Sequence, residues 1–463
     1  MKPSQLVIIG FGMVGRSLMT HMVRCNNKLA YNVPILIVEP KEIKSSEIFK
    51  KLCKSSRQII HIKQYVTSSN YKFIFEKYIL NEAIIVDVSW RVKTSAIIQE
   101  CQNKQCIYIN TAIDEWEHSP LSLYELKQNI LDEVKYYGPK MTAVINHGMN
   151  PGLVSHITKL FLRGLAEKKK IKNIDQLLKD NKYNQLAKIL GLTLIQISER
   201  DNQQTNLVTT EKEFYNTWSV MGFIDEALLN TEISYGTHEK KMPFKADTSR
   251  LKTTGQIILP IPCHQVRAKT YEPVGGLATG YCIAHAECYS LAKFLMTPDH
   301  RISIYYSYLV PDVAKNICHY IEYSLDKTVS PQSEHVLRSD EITSGMDSVG
   351  CLFFLRNPEH ALEIYWFGSI LKNSDIKKLS PEINGTCMQV AVSLLACIEW
   401  MIENPHCGII EPEEVDSDFI ISKSMNYLGF FKCLNVTKEC LSCGITSDQL
   451  SELITAPKDI LFT

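Results

Sequence analysis

The chain has no surplus of charge. Among its 463 residues Lys plus Arg and Asp plus Glu number 50 each, so no overall field recommends nucleic acid or an anionic membrane as a partner, and neither is expected. It also lacks any apolar run approaching the roughly 18 to 20 residues of a membrane helix, which leads to the expectation of a soluble protein. The 15 cysteines fall without framework spacing, and a glycine-rich turn stands where the cleavage region of a signal peptide would lie. Reduced thiols and a cytoplasmic location are therefore expected. Cys440-x-x-Cys443, with Cys433 nearby, has no second pair or histidine at zinc spacing, so no metal is expected. Arginine is scarce in the acid-rich segments. A carboxylate substrate needs a cationic grip, ideally bidentate, and Arg200 is expected instead to neutralise Glu199 or Asp201.

What is present begins at Leu6, where LVIIGFGMVGRSL runs an apolar strand into Gly10, Gly12 and Gly15. A G-x-G-x-x-G between a strand and a helix is a dinucleotide-binding fingerprint. Gly10 makes the tight turn, Gly12 admits the pyrophosphate to the backbone, and Gly15 lets helix and strand pack closely. Met13 and Val14 complete this loop, whose helix N-terminus favours an anion. The second strand, Ile35 to Val38, ends in Glu39, placed to accept the ribose hydroxyls and to repel a 2′-phosphate. NAD is the expected cofactor.

The rhythm of apolar strand, polar break and helix continues to residue 150, through Gln58–Lys63, Ala83–Val88, Cys106–Asn110 and Thr142–Asn146. It implies an α/β, Rossmann-type, doubly wound parallel sheet. Ligands of such sheets sit beyond the carboxyl ends of the strands. The residues there are Asp87, Ser89, Thr111, Asp114 and the run Asn146 to Gly152, in which Asn150 is expected to cap a helix whose first turn holds Pro151. Residues 151–385 read as a second, α+β substrate domain with a largely antiparallel sheet, from alternating segments such as TLIQIS, GQIIL and RISIYYSY. Residues 386–463 form a C-terminal helical segment able to return to the nucleotide domain.

The chemistry gathers in the second domain. Trp218 stands among segments bearing Glu199, Asp201, Asp225, Glu226, Glu239 and Glu287, with His285 two residues before the last. A desolvated tryptophan face attracts an ammonium or iminium by about 2 kcal/mol or more. A carboxylate at ~4 Å adds roughly 4 kcal/mol before desolvation at an effective dielectric near 20. Together they describe a site for a cation. Cys282 and Cys288 flank His285 but read as packing, and His238 reads as structural.

At these residues the sequence resembles the bacterial homospermidine synthases, within the saccharopine-dehydrogenase-like group. The shared blocks run in order along nearly the whole chain: IGFGMVGR, NPGLVS at Asn150, ISERDNQ at Ile197, NTWSVMGFIDE at Asn216, YGTHE at Tyr235, AHAECYSLAKFL at Ala284, SGMDSVG at Ser344, YWFGS at Tyr365 and ENPHCGIIE at Glu403. The resemblance implies an NAD-dependent homodimer that joins two putrescines, or putrescine and spermidine, into a longer polyamine with loss of ammonia. It places Trp218 as the cation-binding ring, with Glu199, Glu226, Asn150 and His285 around it and Asp347 as a further acid. Where the family has Glu-Pro-Trp, this chain has Asp114, Glu115 and Trp116, and either acid is a candidate for the distal ammonium, as is Glu287. His285 is expected as the base on its ordinary pKa near neutrality, with a glutamate able to share the task. The rival readings are a saccharopine or carboxynorspermidine type dehydrogenase and a non-catalytic NAD-sensing protein.

Overall fold

The computed structural model describes residues 1–54, 58–136, 138–208, 210–243, 245–323 and 333–456. One compact unit takes Met1–Leu153, Leu337–Ile342 and Asn373–Tyr427; the other takes the described residues of Val154–Val336, Thr343–Lys372 and Leu428–Thr463. Where the sequence reading divides the chain at 150 and 385, the backbone returns to the first unit at Leu337 and again at Asn373.

The first unit is built on seven strands, all parallel. Strands β1 (Leu6–Ile9), β2 (Ile35–Val38), β3 (Ile59–Ile62), β4 (Ile84–Asp87), β5 (Ile107–Asn110) and β6 (Ala143–Val144) lie in the order β3-β2-β1-β4-β5-β6, with Ile409–Ile410 at the far edge. β1, β2 and β4 are buried along their whole length. A strand covered on both faces has no polar side to show, which is why these segments are continuous apolar runs. β1 pairs with both β2 and β4, so the strand order reverses beside it, at the point where such sheets bind nucleotides. Helix α1 (Met13–Arg24) leaves the glycine turn directly after β1.

One expectation about apolar runs is corrected here. Helix Gly385–Glu403 has 19 residues and a mean hydropathy of 1.5 over its most apolar window, enough to cross a membrane by length and composition. That window is 83% buried within the protein. The helix packs along α1 in the first unit, and a helix apolar on all sides is the form a core helix takes.

The second unit carries a ten-stranded sheet. Its centre is β7 (Leu192–Asp201), bordered by β8 (Ser303–Leu309) in parallel and by β9 (Met346–Arg356) antiparallel; β10 (Leu362–Lys372) follows β9. The other strand pairings are antiparallel. Side chains alternate across the sheet. Leu194, Leu352, Phe354, Ile364 and Trp366 join one apolar core cluster. The opposite face, at the carboxyl ends of β7 and β8, is polar.

Candidate active site

In the first unit the glycine turn meets the steric requirements of its motif. A Cβ on Gly10, whose φ is +88°, would lie 2.8 Å from the Val88 carbonyl oxygen, and one on Gly15 would lie 2.6 Å from that of Gly10. Gly12 has no heavy atom within 4 Å of the same position. Space is thus filled beneath the turn and open above it, and α1 starts at Gly12 without a side-chain cap on its N–H groups. A dinucleotide pyrophosphate fits that arrangement. Met13 is buried and Val14 half-buried. The Glu39 carboxylate accepts from Phe11 N at 2.8 Å and Lys41 N at 3.0 Å. Each oxygen keeps acceptor capacity, so Glu39 both braces the turn and can meet a ribose diol.

Asp87, at the end of β4, accepts from Ser89 Oγ at 2.6 Å and from Tyr108 Oη at 3.2 Å; burial nevertheless pushes its carboxyl up to about 6. Thr111 follows β5 and is half-buried. The two acids behind it are differently engaged. Asp114 accepts the backbone N–H groups of Arg91 and Glu115 and shapes the loop. Glu115 pairs with Lys93 at 3.1 Å, a lysine that also reaches Glu133 at 3.0 Å. Asn150 does not cap a helix: the helix begins at Leu153, and Pro151 precedes it in a tight turn closed by Gly148 N to Pro151 O at 2.6 Å. Gly152 has φ +128°, and a Cβ there would collide with the Gly148 backbone.

The second unit gathers most of the remaining candidates. Glu199 and Asp201 point from the same face of β7, and cross-strand register sets Asp347 of β9 opposite Asp201. All three carboxylates are buried. Asp201 accepts from Thr217 Oγ1 at 2.5 Å and from the Gln203 side chain at 3.1 Å. Trp218 directly precedes helix α2 (Val220–Leu228), whose N-cap Ser219 accepts from Gly222 N at 3.0 Å. The cap fixes where the ring enters. α2 also carries Phe223, 6.1 Å from the Trp218 ring in edge contact, and Asp225 and Glu226.

Two tyrosines that the sequence reading did not single out organise this face. Tyr306 and Tyr308 alternate along β8 with rings stacked at 6.0 Å. Tyr306 donates its hydroxyl proton to Glu199 Oε2 at 2.7 Å, and its ring lies 4.1 Å from that of His285. The Tyr308 hydroxyl accepts the Trp218 ring N–H at 2.8 Å. The alternation in RISIYYSY was visible. What the hydroxyls reach depends on Glu199 of β7 and on Trp218, 107 and 90 residues earlier.

Charge in the site differs from the sequence expectation. Burial pushes the half-buried Glu226 up to about 7, against the pull of His285 and with the help of Glu199 and Asp225. Burial opposes charge on His285, yet the contact with Glu287 and the charges of Glu226 and Glu199 outweigh it and raise its pKa above the ordinary value. Glu287 is itself fully buried, with His285 Nδ1 at 3.7 Å, an ion-pair distance rather than a hydrogen bond. The acids around it thus favour the charged form of His285, while burial brings the Glu226 carboxyl up to about 7.

Other expectations change place. Arg200 points to the opposite face from Glu199 and Asp201. Its guanidinium lies against Gly275, on the side where Glu272 accepts from Ser198 and Ser348 and is pushed by burial up to about 8. It forms no ion pair with either acid among the described residues. Glu239 is not part of the cluster: it accepts from Ser303 Oγ at 2.6 Å, at the far end of β8. His238 holds the Asp448 carbonyl at 2.8 Å. Burial raises the Cys282 and Cys288 thiols well above their ordinary range, which disfavours a thiolate.

Residues 6–144 match the saccharopine dehydrogenase NADP binding domain family. Two curated homospermidine synthases, from Mesorhizobium japonicum and Blastochloris viridis, are each 28% identical, over 92% of this chain and 88% and 89% of their own lengths. A crystal structure of homospermidine synthase from Legionella pneumophila in complex with NAD is 30% identical and superposes with a TM-score of 0.81, covering 94% of this chain and 92% of that one. Saccharopine dehydrogenase from Saccharomyces cerevisiae shares the fold at a TM-score of 0.54 and 10% identity. Near-complete mutual coverage at this identity makes the chain a member of the homospermidine synthase family.

Proposed function

We propose that the protein joins two putrescines, or putrescine and spermidine, into homospermidine or its longer homologue with release of ammonia, using NAD. The observation that carries this reading is the Trp218 face among Glu199, Glu226, Asp201 and Asp347, with Arg200 turned to the other side of the sheet. Turned away, Arg200 is not offered to the carboxylate of a keto acid or amino acid, whereas a diamine finds an aromatic face and several anions.

NAD, when bound, supplies the acceptance and later return of a hydride; Gly10, Gly12, Met13, Val14, Gly15, Glu39, Asp87, Ser89 and Thr111 would hold it. The rest of the chemistry belongs to side chains. A primary amine arrives protonated, and its carbon cannot give up hydride until that proton leaves. Glu226, whose carboxyl burial pushes up to about 7, takes it in this reading. His285, whose charged form Glu287, Glu226 and Glu199 favour, lies beside these acids and offsets their charge. Trp218 binds the cationic imines through its ring face, and Glu199 and Asp347 hold the distal ammonium. The family resemblance adds Asn150, Asp114 and Glu115 as amine-binding candidates, Glu115 with its charge tempered by Lys93.

The reading includes a homodimer, supported by the family resemblance, and a cytoplasmic setting, supported by fifteen free cysteines. Mass analysis of the product from purified protein, putrescine and NAD tests it. Homospermidine and ammonia are expected. Turnover of an amino or keto acid instead indicates a saccharopine-type dehydrogenase, and NAD binding with no turnover indicates a sensing role.

A further inference from the structure

Strand β8 touches three members of the proposed site without supplying one of its charges. Tyr308 receives the Trp218 N–H at 2.8 Å, while Tyr306 donates to Glu199 at 2.7 Å and packs its ring 4.1 Å from His285. The parallel register places Tyr308 beside Glu199 and Tyr306 beside Ile197, so both hydroxyls emerge on the face that carries the acids. Both tyrosines are buried, at 1% and 3% exposure for Tyr308 and Tyr306, and the phenols stack at 18° to each other. Neither ring has freedom to turn away.

Trp218 needs such a constraint. It precedes its helix and is only half-buried, and two side-chain torsions decide which way its face looks. A cation gains from the ring only when it lies over the face within about 6 Å of the centroid. Phe223 limits the ring by edge contact alone; the hydrogen bond to Tyr308 is the directional restraint.

We infer that Tyr308 and Tyr306 are positioning residues that act through their neighbours, Tyr308 fixing the plane of the Trp218 ring and Tyr306 fixing the carboxylate of Glu199. β8 thereby sets the distance between aromatic face and anion, and with it the length of amine the site accepts. The inference rests on the proposed diamine chemistry.

A double-mutant cycle tests it, because a residue that works only through a partner has no effect once the partner's acting group is gone. With putrescine as substrate, Tyr308→Phe is expected to lower kcat/KM roughly threefold to tenfold, the range a neutral hydrogen bond supports. In a Trp218→Phe background, which has no ring N–H, the same change should alter kcat/KM by less than about twofold. Tyr306→Phe should behave likewise against Glu199→Leu, which leaves the phenol no acceptor. Equal losses in both backgrounds would assign the tyrosines to packing and overturn the inference. The emission of Trp218, taken as the difference between parent and Trp218→Phe spectra, reads the same contact without turnover. It should shift in Tyr308→Phe, and an unchanged spectrum would equally overturn the inference. A parent protein that makes no homospermidine would remove the functional reading, while the emission difference would still decide the role of Tyr308.

Discussion

A half-buried tryptophan whose N–H is held by a tyrosine that also stands beside buried carboxylates has a ring face suited to a cation. Replacing Trp218 by Ala removes an interaction of about 2 kcal/mol, or at least roughly thirtyfold in kcat/KM at 1.4 kcal/mol per tenfold. Phe keeps a weaker ring face and should retain part of the activity, with circular dichroism unchanged in both variants. Equal kcat/KM in the parent, Phe and Ala forms would confine Trp218 to packing. The pH profile belongs to Glu226. A carboxyl raised to about 7 is protonated below that value and takes no proton from the amine, so kcat/KM should fall as pH drops from 8 to 6. Glu226→Gln should flatten this limb and cost about 10²- to 10⁴-fold, the usual worth of a positioned acid or base. A limb that persists unchanged in Glu226→Gln would return the task to His285. At the sequence level His285 looked the better base, because an isolated imidazole titrates near neutrality. The case for Glu226 comes from its burial and from the acids beside His285, which no local pattern reports.

At the scale of elements, the parallel sheet was legible because burial on both faces erases polar residues, leaving continuous apolar strands between turns. The glycine turn was legible because only glycine tolerates approaches of 2.6 to 2.8 Å beneath it. Glu39 makes that element selective. Its carboxylate should favour NAD over NADP by a factor of about ten or more, since a 2′-phosphate would meet it directly. Titration of the purified protein with each nucleotide checks this, and Glu39→Gln should narrow the gap while weakening NAD. Equal affinities in the parent would remove Glu39 as the discriminator. Less legible was the helix after NHGMNPG, where an Asn-Pro pair resembles a capped start but the helix begins at Leu153, after a turn closed by Gly148 N to Pro151 O. The polar face of the second sheet was half-legible: the acids of β7 could be read from alternation, but their separation from Arg200 by that same alternation was not drawn. Tyr306 and Tyr308 passed as strand residues because a tyrosine hydroxyl shows its purpose only with its partner in place.

At the scale of the whole molecule, the chain enters each of its two compact units more than once, through Leu337–Ile342, Asn373–Tyr427 and the strands around them. Composition gives no sign of such returns, since each segment is of ordinary helical or strand character. The apolar helix Gly385–Glu403 also had a membrane-like composition that only burial explains. The chemistry constrains the molecule as a unit in a further way. Putrescine and homospermidine stand at the same oxidation level, so a hydride taken from the first amine must return to the coupled imine. Water entering in between would hydrolyse the imine to an aldehyde, so keeping the cofactor and excluding water serve one end. The most direct measurement uses putrescine deuterated at the carbons bearing nitrogen, with NAD supplied in amounts comparable to enzyme. The account predicts many turnovers, return of the transferred deuterium to homospermidine, and no rise in NADH absorbance. Stoichiometric accumulation of free NADH with each product formed would contradict it.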